Sequence, residues 1–155
     1  MNKSASSKYI YGEESNMNLK LVIAIRRSLL PEDRAVVSVL NKYGLTISQF
    51  GVLESLYHIG PMNINEIISK TLSTSGNMTV VIRNLVKQGL VTKECDPEDR
   101  RAFIIKLTDA GRSKIKEIFP KHLDELDRVF STLEMDEKKE LLRLLKKLNR
   151  YDSDK

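Results

Sequence analysis

Between Asn63 and Gly111 the chain carries a pattern that leaves few ways to fold. Over Thr74–Gln88, the residues Met78, Val81, Ile82 and Leu85 recur at i, i+3, i+4 and i+7, the spacing of a helix buried along one stripe. At about 100° per residue, the opposite side carries Gly76, Val80, Arg83 and Lys87, flanked by Asn77, Thr79 and Asn84. The segment contains neither Asp nor Glu. A cationic, hydrogen-bonding face on a firmly anchored helix suits a polyanion whose edges can be read. Gly89 then stands where a glycine ends a helix, with Leu90 as its apolar partner.

Two runs rich in β-formers follow, Leu90–Cys95 and Ala102–Leu107, and Asp96-Pro97-Glu98-Asp99-Arg100-Arg101 turns between them. Paired arginines at the tip of a two-stranded ribbon pack poorly and reach well. A narrow minor groove concentrates negative potential and draws arginine in. Asp99, two residues before Arg101, is placed to brace that guanidinium by a charge-assisted hydrogen bond. Taken alone, such a turn reads as solvated and self-neutralising. Beside a helix without carboxylates, it reads as the second half of a DNA-binding surface.

The flanking sequence is helical. Residues Met1 to about Ser15 are polar and aperiodic, a flexible arm. Leu19, Val22, Ile23, Arg26, Leu29 and Leu30 step along a helix that Pro31 breaks, kinks or restarts. Thr46 with Gln49 forms a capping box, and Leu45 with Phe50 a hydrophobic staple, for a helix running to about His58. Asn63 with Glu66, and Met62 with Ile67, repeat that arrangement for a helix ending near Thr71. Two capped helices and a short turn make a helix-turn-helix, and the ribbon makes it winged. Thr108 caps a long helix carrying Ile115, Ile118, Phe119, Leu123, Leu126, Phe130 and Leu133, bent at Pro120. A last helix, about Asp136–Arg150, stacks Leu141, Leu142, Leu144, Leu145 and Leu148 between charges. The fold class is therefore mainly α with a small β-wing (α+β).

Five segments follow: an arm at 1–16, N-terminal dimerisation helices at 17–44, the winged reader at 45–107, C-terminal dimerisation helices at 108–150 and a tail at 151–155. Dimerisation enters because the end helices carry more apolar surface than so small a reader needs to cover itself, and a second copy would bury the excess. The alternative is helical packing within one chain. A length of 155 residues fits one domain, or one domain with an oligomerisation element. The net charge of +5 fits an anionic partner, with the cationic surface local because 21 acidic residues stand against 26 basic. One cysteine excludes an intrachain disulfide and fits a reducing cytoplasm. No run approaches a membrane span, so a soluble, cytoplasmic protein is expected.

The quoted residues resemble the multiple-antibiotic-resistance regulator (MarR) family. The resemblance rests on Leu45-Thr46-Ile47-Ser48-Gln49-Phe50-Gly51-Val52-Leu53, Thr74-Ser75-Gly76-Asn77-Met78-Thr79 and Gly89-Leu90-Val91. Its most specific parts are Asp96-Pro97-Glu98-Asp99-Arg100-Arg101 and Leu107-Thr108-Asp109-Ala110-Gly111, and it covers about Asn18 to Arg150. It implies a prokaryotic, obligate homodimer of winged helices on pseudo-palindromic promoter DNA, most often a repressor released by a small molecule. It further implies that Ser75, Asn77, Thr79, Val80 and Arg83 face the major groove, while Arg101, oriented by Asp99, enters the minor groove beside Arg100. Lys87 is placed for phosphate. Val80 departs from those family members that carry an arginine at its position, so readout there becomes an apolar contact, as with a thymine methyl.

A ligand cavity between the first, second and fifth helices is implied by the resemblance alone, with Arg26, Tyr43, Tyr57 and His58 as candidate lining groups. Thiol-sensing relatives place their cysteine in the first helix, so Cys95 reads as a small strand residue, and Glu94 and Asp96 beside it disfavour a thiolate. His58 and His122 are too few and too distant in sequence for a zinc site, and read as helix-end or surface residues. No metal or cofactor is expected. No catalytic grouping, phosphate loop or metal signature suggests an enzyme. The competing reading is a winged-helix protein-interaction module whose basic face meets an acidic partner instead of an operator.

Overall fold

The computed structural model describes residues 11–71, 75–97 and 102–149. Among them the elements run α1 (Glu13–Asn41), α2 (Ile47–His58), β1 (Met62–Asn63), α3 (Ile64–Thr71), α4 (Ser75–Lys87), β2 (Val91–Cys95), β3 (Phe103–Leu107), α5 (Asp109–Val129) and α6 (Met135–Asn149). The architecture is mainly helical with a small antiparallel sheet, as expected.

Capping chemistry sets the boundaries around the reader. The Thr46 hydroxyl accepts from the Gln49 amide at 3.2 Å, while Gln49 Oε1 accepts from the Thr46 amide at 2.9 Å. Asn63 and Glu66 make the same exchange ahead of α3, at 2.9 and 2.8 Å. Each exchange satisfies two amides that a helix start leaves without intrahelical partners. Both staple pairs, Leu45 with Phe50 and Met62 with Ile67, are buried.

The end of α4 is equally explicit. Gly89 sits at φ 68°, a conformation that costs a side-chain-bearing residue about 1–2 kcal/mol. Its amide donates to the Val86 carbonyl at 2.9 Å, and the Leu90 amide donates to Leu85 at 3.0 Å. This pairing closes the last turn and buries Leu90. Thr108 then ties the start of α5 to the same corner. Its hydroxyl accepts from the Gly111 amide at 3.0 Å and donates to the Gly89 carbonyl at 2.7 Å, and its amide donates to the Leu90 carbonyl at 3.1 Å. Gly111 packs so tightly here that an added Cβ would overlap the Leu90 carbonyl oxygen and approach Leu107 Cδ2 to 3.1 Å.

One core unites these elements. Val36, Val39 and Leu40 of α1, Leu53 and Leu56 of α2, Ile67 of α3, Met78 and Leu85 of α4, Ile105 of β3, and Ile115 and Ile118 of α5 are all buried. Fully burying an aliphatic side chain of this size stabilises by about 1.5–3 kcal/mol. The end helices contrast sharply. No residue of α6 is buried, and Leu19, Leu21, Val22, Ile23, Leu29 and Leu30 of α1 are each about half exposed.

The structure departs from the sequence expectations at several points. The ribbon is not merely two-stranded: β1 pairs with β3 through Met62↔Ile105 and Asn63↔Ile104, giving the order β1-β3-β2 with β2 at the edge. In place of two N-terminal helices, α1 is one helix of 29 residues that continues through Pro31. It also starts at Glu13, so Glu13–Asn16 belong to the helix; residues 1–10, and with them most of the expected arm, lie outside the described residues. Finally, α5 ends at Val129, and Phe130 caps it rather than extending it.

The apolar stripe of α5 differs as well. Leu123 is exposed, whereas His122 is buried, because i, i+3, i+7 from Ile115 passes through Ile118 and His122. His122 stacks edge-on to Phe50 at 4.9 Å between ring centroids, and its Nδ1 has no hydrogen-bond partner among the described residues. It is therefore neither a helix-end nor a surface histidine.

Candidate nucleic-acid interface

Helix α4 is anchored by the four residues its periodicity singles out: Met78, Val81, Ile82 and Leu85 are all buried. With that stripe turned inward, Gly76, Asn77, Thr79, Val80, Arg83, Asn84 and Lys87 are all exposed. Ser75 opens the helix. The first turn carries no carboxylate, and Arg83 and Lys87 enter no ion pair among the described residues. A fixed helix thus presents two cations and several directional groups to solvent, with Val80, 42% exposed, as an apolar patch between them.

The wing rises from the same core. Strand β2 pairs with β3 from Val91↔Leu107 to Cys95↔Phe103, and the ladder continues to an Asp96 amide donating to the Ala102 carbonyl at 3.0 Å. Asp99, Arg100 and Arg101 lie outside the described residues. On one face of the wing Lys106 pairs with Glu94 at 2.6 Å and holds its carboxyl below the usual carboxylate range, helped by the Thr92 hydroxyl. Such an exposed pair contributes little to stability, but it neutralises Glu94. On the other face the Lys93 ammonium lies 3.9 Å from the centre of the Phe103 ring. Neither Lys93 nor Phe103 stands out in the sequence, because their proximity depends on the strand register. Cys95 is exposed on β2, opposite Phe103.

The four candidate ligand residues do not form one group. Tyr57 and His58 meet edge-to-face at 5.1 Å, and His58 continues onto Phe119 at 4.7 Å, an aromatic row between α2 and α5. Tyr43 instead accepts a hydrogen bond from Lys121, beside a cavity of about 300 Å³ that Lys42, Glu125 and Arg128 also line. Arg26 is exposed on α1 and lines neither feature. Among the described residues no group of three or more His, Cys, Asp or Glu side chains is placed to hold a metal ion.

Known proteins supply the name of this arrangement. A family model described as transcriptional regulator SarA/Rot matches residues 34–118. The chain is 37% identical over 134 residues to YkoM of Bacillus subtilis, an uncharacterised HTH-type transcriptional regulator, covering 86% of each chain. It is 32% identical to the HTH-type transcriptional regulator MhqR of the same organism, covering 84% of this chain and 90% of that one. A mutant E. coli MarR solved with operator DNA superposes with a TM-score of 0.79 at 25% identity, covering 88% of this chain and 99% of that one. The chain belongs to the MarR family.

A MarR-family chain with this fold is a DNA-binding transcriptional regulator, and its family are regulators rather than enzymes. BpsR of Bordetella bronchiseptica, whose DNA binding is regulated by 6-hydroxynicotinic acid, superposes on this MarR-family chain with a TM-score of 0.77 at 25% identity, covering 84% of this chain and 98% of that one. Among the described residues no helix is long and apolar enough to cross a membrane.

Proposed function

We propose that this MarR-family chain is a repressor that binds a pseudo-palindromic promoter site as a homodimer and is released by a small aromatic effector. The observation that carries the proposal is the exposed, carboxylate-free face of α4. In it Asn77, Thr79 and Arg83 supply directional groups for base edges, Val80 an apolar contact, and Lys87 a phosphate contact, with Ser75 at the entering end. Arg101, with Arg100 beside it and Asp99 orienting it, serves the adjacent minor groove. The half-exposed apolar faces of α1 and α6 support the homodimer, and a dimer asks for two inverted half-sites about one helical turn, 10–10.5 base pairs, apart. For the effector, the support is the regulation of BpsR by 6-hydroxynicotinic acid and the cavity where Tyr43 stands beside Lys42 and Lys121, with Asp124 and the Glu125–Arg128 ion pair completing a mixed-charge lining suited to a polar aromatic molecule.

The test is a titration of variants against the DNA upstream of the protein's own gene and against a scrambled duplex, at several salt concentrations. Arg83→Ala and Asn77→Ala narrow the gap between the two duplexes, because each directional base contact contributes roughly 1–3 kcal/mol of discrimination. Lys87→Ala instead weakens both equally and reduces the salt slope by about 0.9 for each phosphate it no longer neutralises. Equal weakening on both duplexes for Arg83 and Asn77 would make α4 a mere cationic anchor.

The wing makes a separate demand. Arg101→Ala weakens operator binding by about 1–3 kcal/mol, and Asp99→Ala does part of the same damage. Circular dichroism serves as the fold control. Undiminished affinity in Arg101→Ala would reduce the tip to a solvated turn.

A further inference from the structure

We infer that Lys93 is a phosphate contact on the DNA-reading surface and that Phe103 is its positioning residue. The inference rests on the DNA-binding reading of α4 and the wing. Side chains alternate along a strand, so Lys93 shares the face of β2 on which Val91 is buried against the core. Beyond the core's edge, that inward register delivers Lys93 to a concavity of about 270 Å³ where α3, α4 and β2 meet. Ile64, Ile82 and Val86 form its apolar floor, and Thr79 and Arg83 of the exposed α4 face complete the lining with Lys93. Two cations and a hydroxyl converge there with no carboxylate among the lining groups.

The position follows from the geometry of a duplex. If α4 lies in the major groove and the wing tip in the neighbouring minor groove, the sugar–phosphate strand dividing those grooves must pass between α4 and β2. Lys93 stands at that crossing. Its chain neighbour Glu94 lies on the opposite face and is taken by Lys106, so it does not neutralise Lys93. The Phe103 ring holds the ammonium from one side without supplying a counter-charge, so the full positive charge remains available to an anion. A carboxylate in place of the ring would fix the lysine equally well and cancel it.

A lysine on the inward face of an edge strand has a competing explanation, since such charges guard strand edges against pairing with other chains. Salt dependence separates the two. The unaltered protein, Lys93→Gln, Lys93→Arg and Phe103→Leu are titrated against the upstream DNA and a random-sequence duplex across a range of salt, with thermal unfolding as the fold control. Lys93→Gln is expected to lower affinity for both duplexes by one common factor and to reduce the slope by about 1.8, two phosphates per dimer at about 0.9 each. Lys93→Arg keeps the slope. Phe103→Leu also keeps the slope but weakens both duplexes about 5- to 30-fold, the range that matches two cation–π contacts per dimer at exposed sites. An unchanged slope in Lys93→Gln overturns the inference, as does a weakening confined to the upstream DNA, which would make Lys93 a base reader. Aggregation of Lys93→Gln with undiminished DNA affinity assigns it to edge protection instead. If the unaltered protein binds neither duplex, the DNA reading itself fails.

Discussion

Changing Leu141 and Leu145 together to Arg is expected to yield a folded monomer that no longer holds its operator. Both leucines stay more than a third exposed in the single chain, and both line two apolar hollows of the end helices. One hollow, about 450 Å³, lies against Leu126, Phe130 and Leu133; the other, about 490 Å³, lies against Leu21, Val22 and Ile25. In the isolated chain an arginine at either position keeps a path to water, so the fold of the reader is untouched. Covered by a second copy, each guanidinium would be buried without a partner, at a cost of several kcal/mol, and two-fold symmetry doubles the count. Light scattering should report half the mass of the unaltered protein with an unchanged helical spectrum. A variant that remains dimeric would place the interface elsewhere, and a monomeric unaltered protein would remove the homodimer altogether.

Gly111→Ala is expected to destabilise the fold by about 3 kcal/mol or more, at the upper end of overpacking effects, and to lower the Tm by about 10 °C for a chain of this length. The new methyl would be driven into the Leu90 carbonyl oxygen, which is fixed on both sides: Leu90 closes the end of α4, and its carbonyl accepts from Thr108. Neither partner is a flexible side-chain tip, so relief requires moving α5 away from the α4–β2 corner. Gly76→Ala is the control. Its methyl meets nothing within 4 Å, and replacing a helical glycine stabilises by up to about 1 kcal/mol. Equal melting of Gly111→Ala and the unaltered protein would mean that the corner yields more readily than its hydrogen bonds imply.

The parts of this fold that are legible in the sequence are those decided within a few residues. Capping boxes join residues three apart, so Thr46 with Gln49 and Asn63 with Glu66 are visible, as are the glycine stop at Gly89 and the buried stripe of α4. What stays hidden depends on distant partners. Met62–Asn63 is too short to read as a strand and becomes one only by pairing with Ile104 and Ile105. His122 reads as a surface residue because a polar group on an apolar stripe is buried only when rings such as Phe50 close over it. Pro31 reads on local chemistry as a break, a kink or a restart, and of these only a break or restart is excluded by a helix that continues across it. The exposed, carboxylate-free face of α4 is legible for the same local reason as its helix; the pairing of Lys93 with Phe103 is not, since the whole wing turn separates the cation from its ring.

The unbroken course of α1 has a mechanical consequence. At 29 residues it is about 43 Å long, and only its C-terminal portion, Val36, Val39 and Leu40, is locked into the reader core. The other end projects as a stiff rod whose apolar side chains are those proposed to meet a second copy. A tilt of about 5° at such a rod's anchored end displaces its tip by about 4 Å, comparable to the rise of one base pair. In the proposed dimer, a shift in the packing around Lys42 and Tyr43, close to the anchored end, would therefore change the separation of the two α4 helices by an amount comparable to that rise. Pro31 lies between anchor and tip, where the missing amide removes one rung of the helical ladder. Bending concentrated there would uncouple the rod's two ends, so the stiffness of this one turn sets how faithfully a small local displacement becomes a change of operator fit.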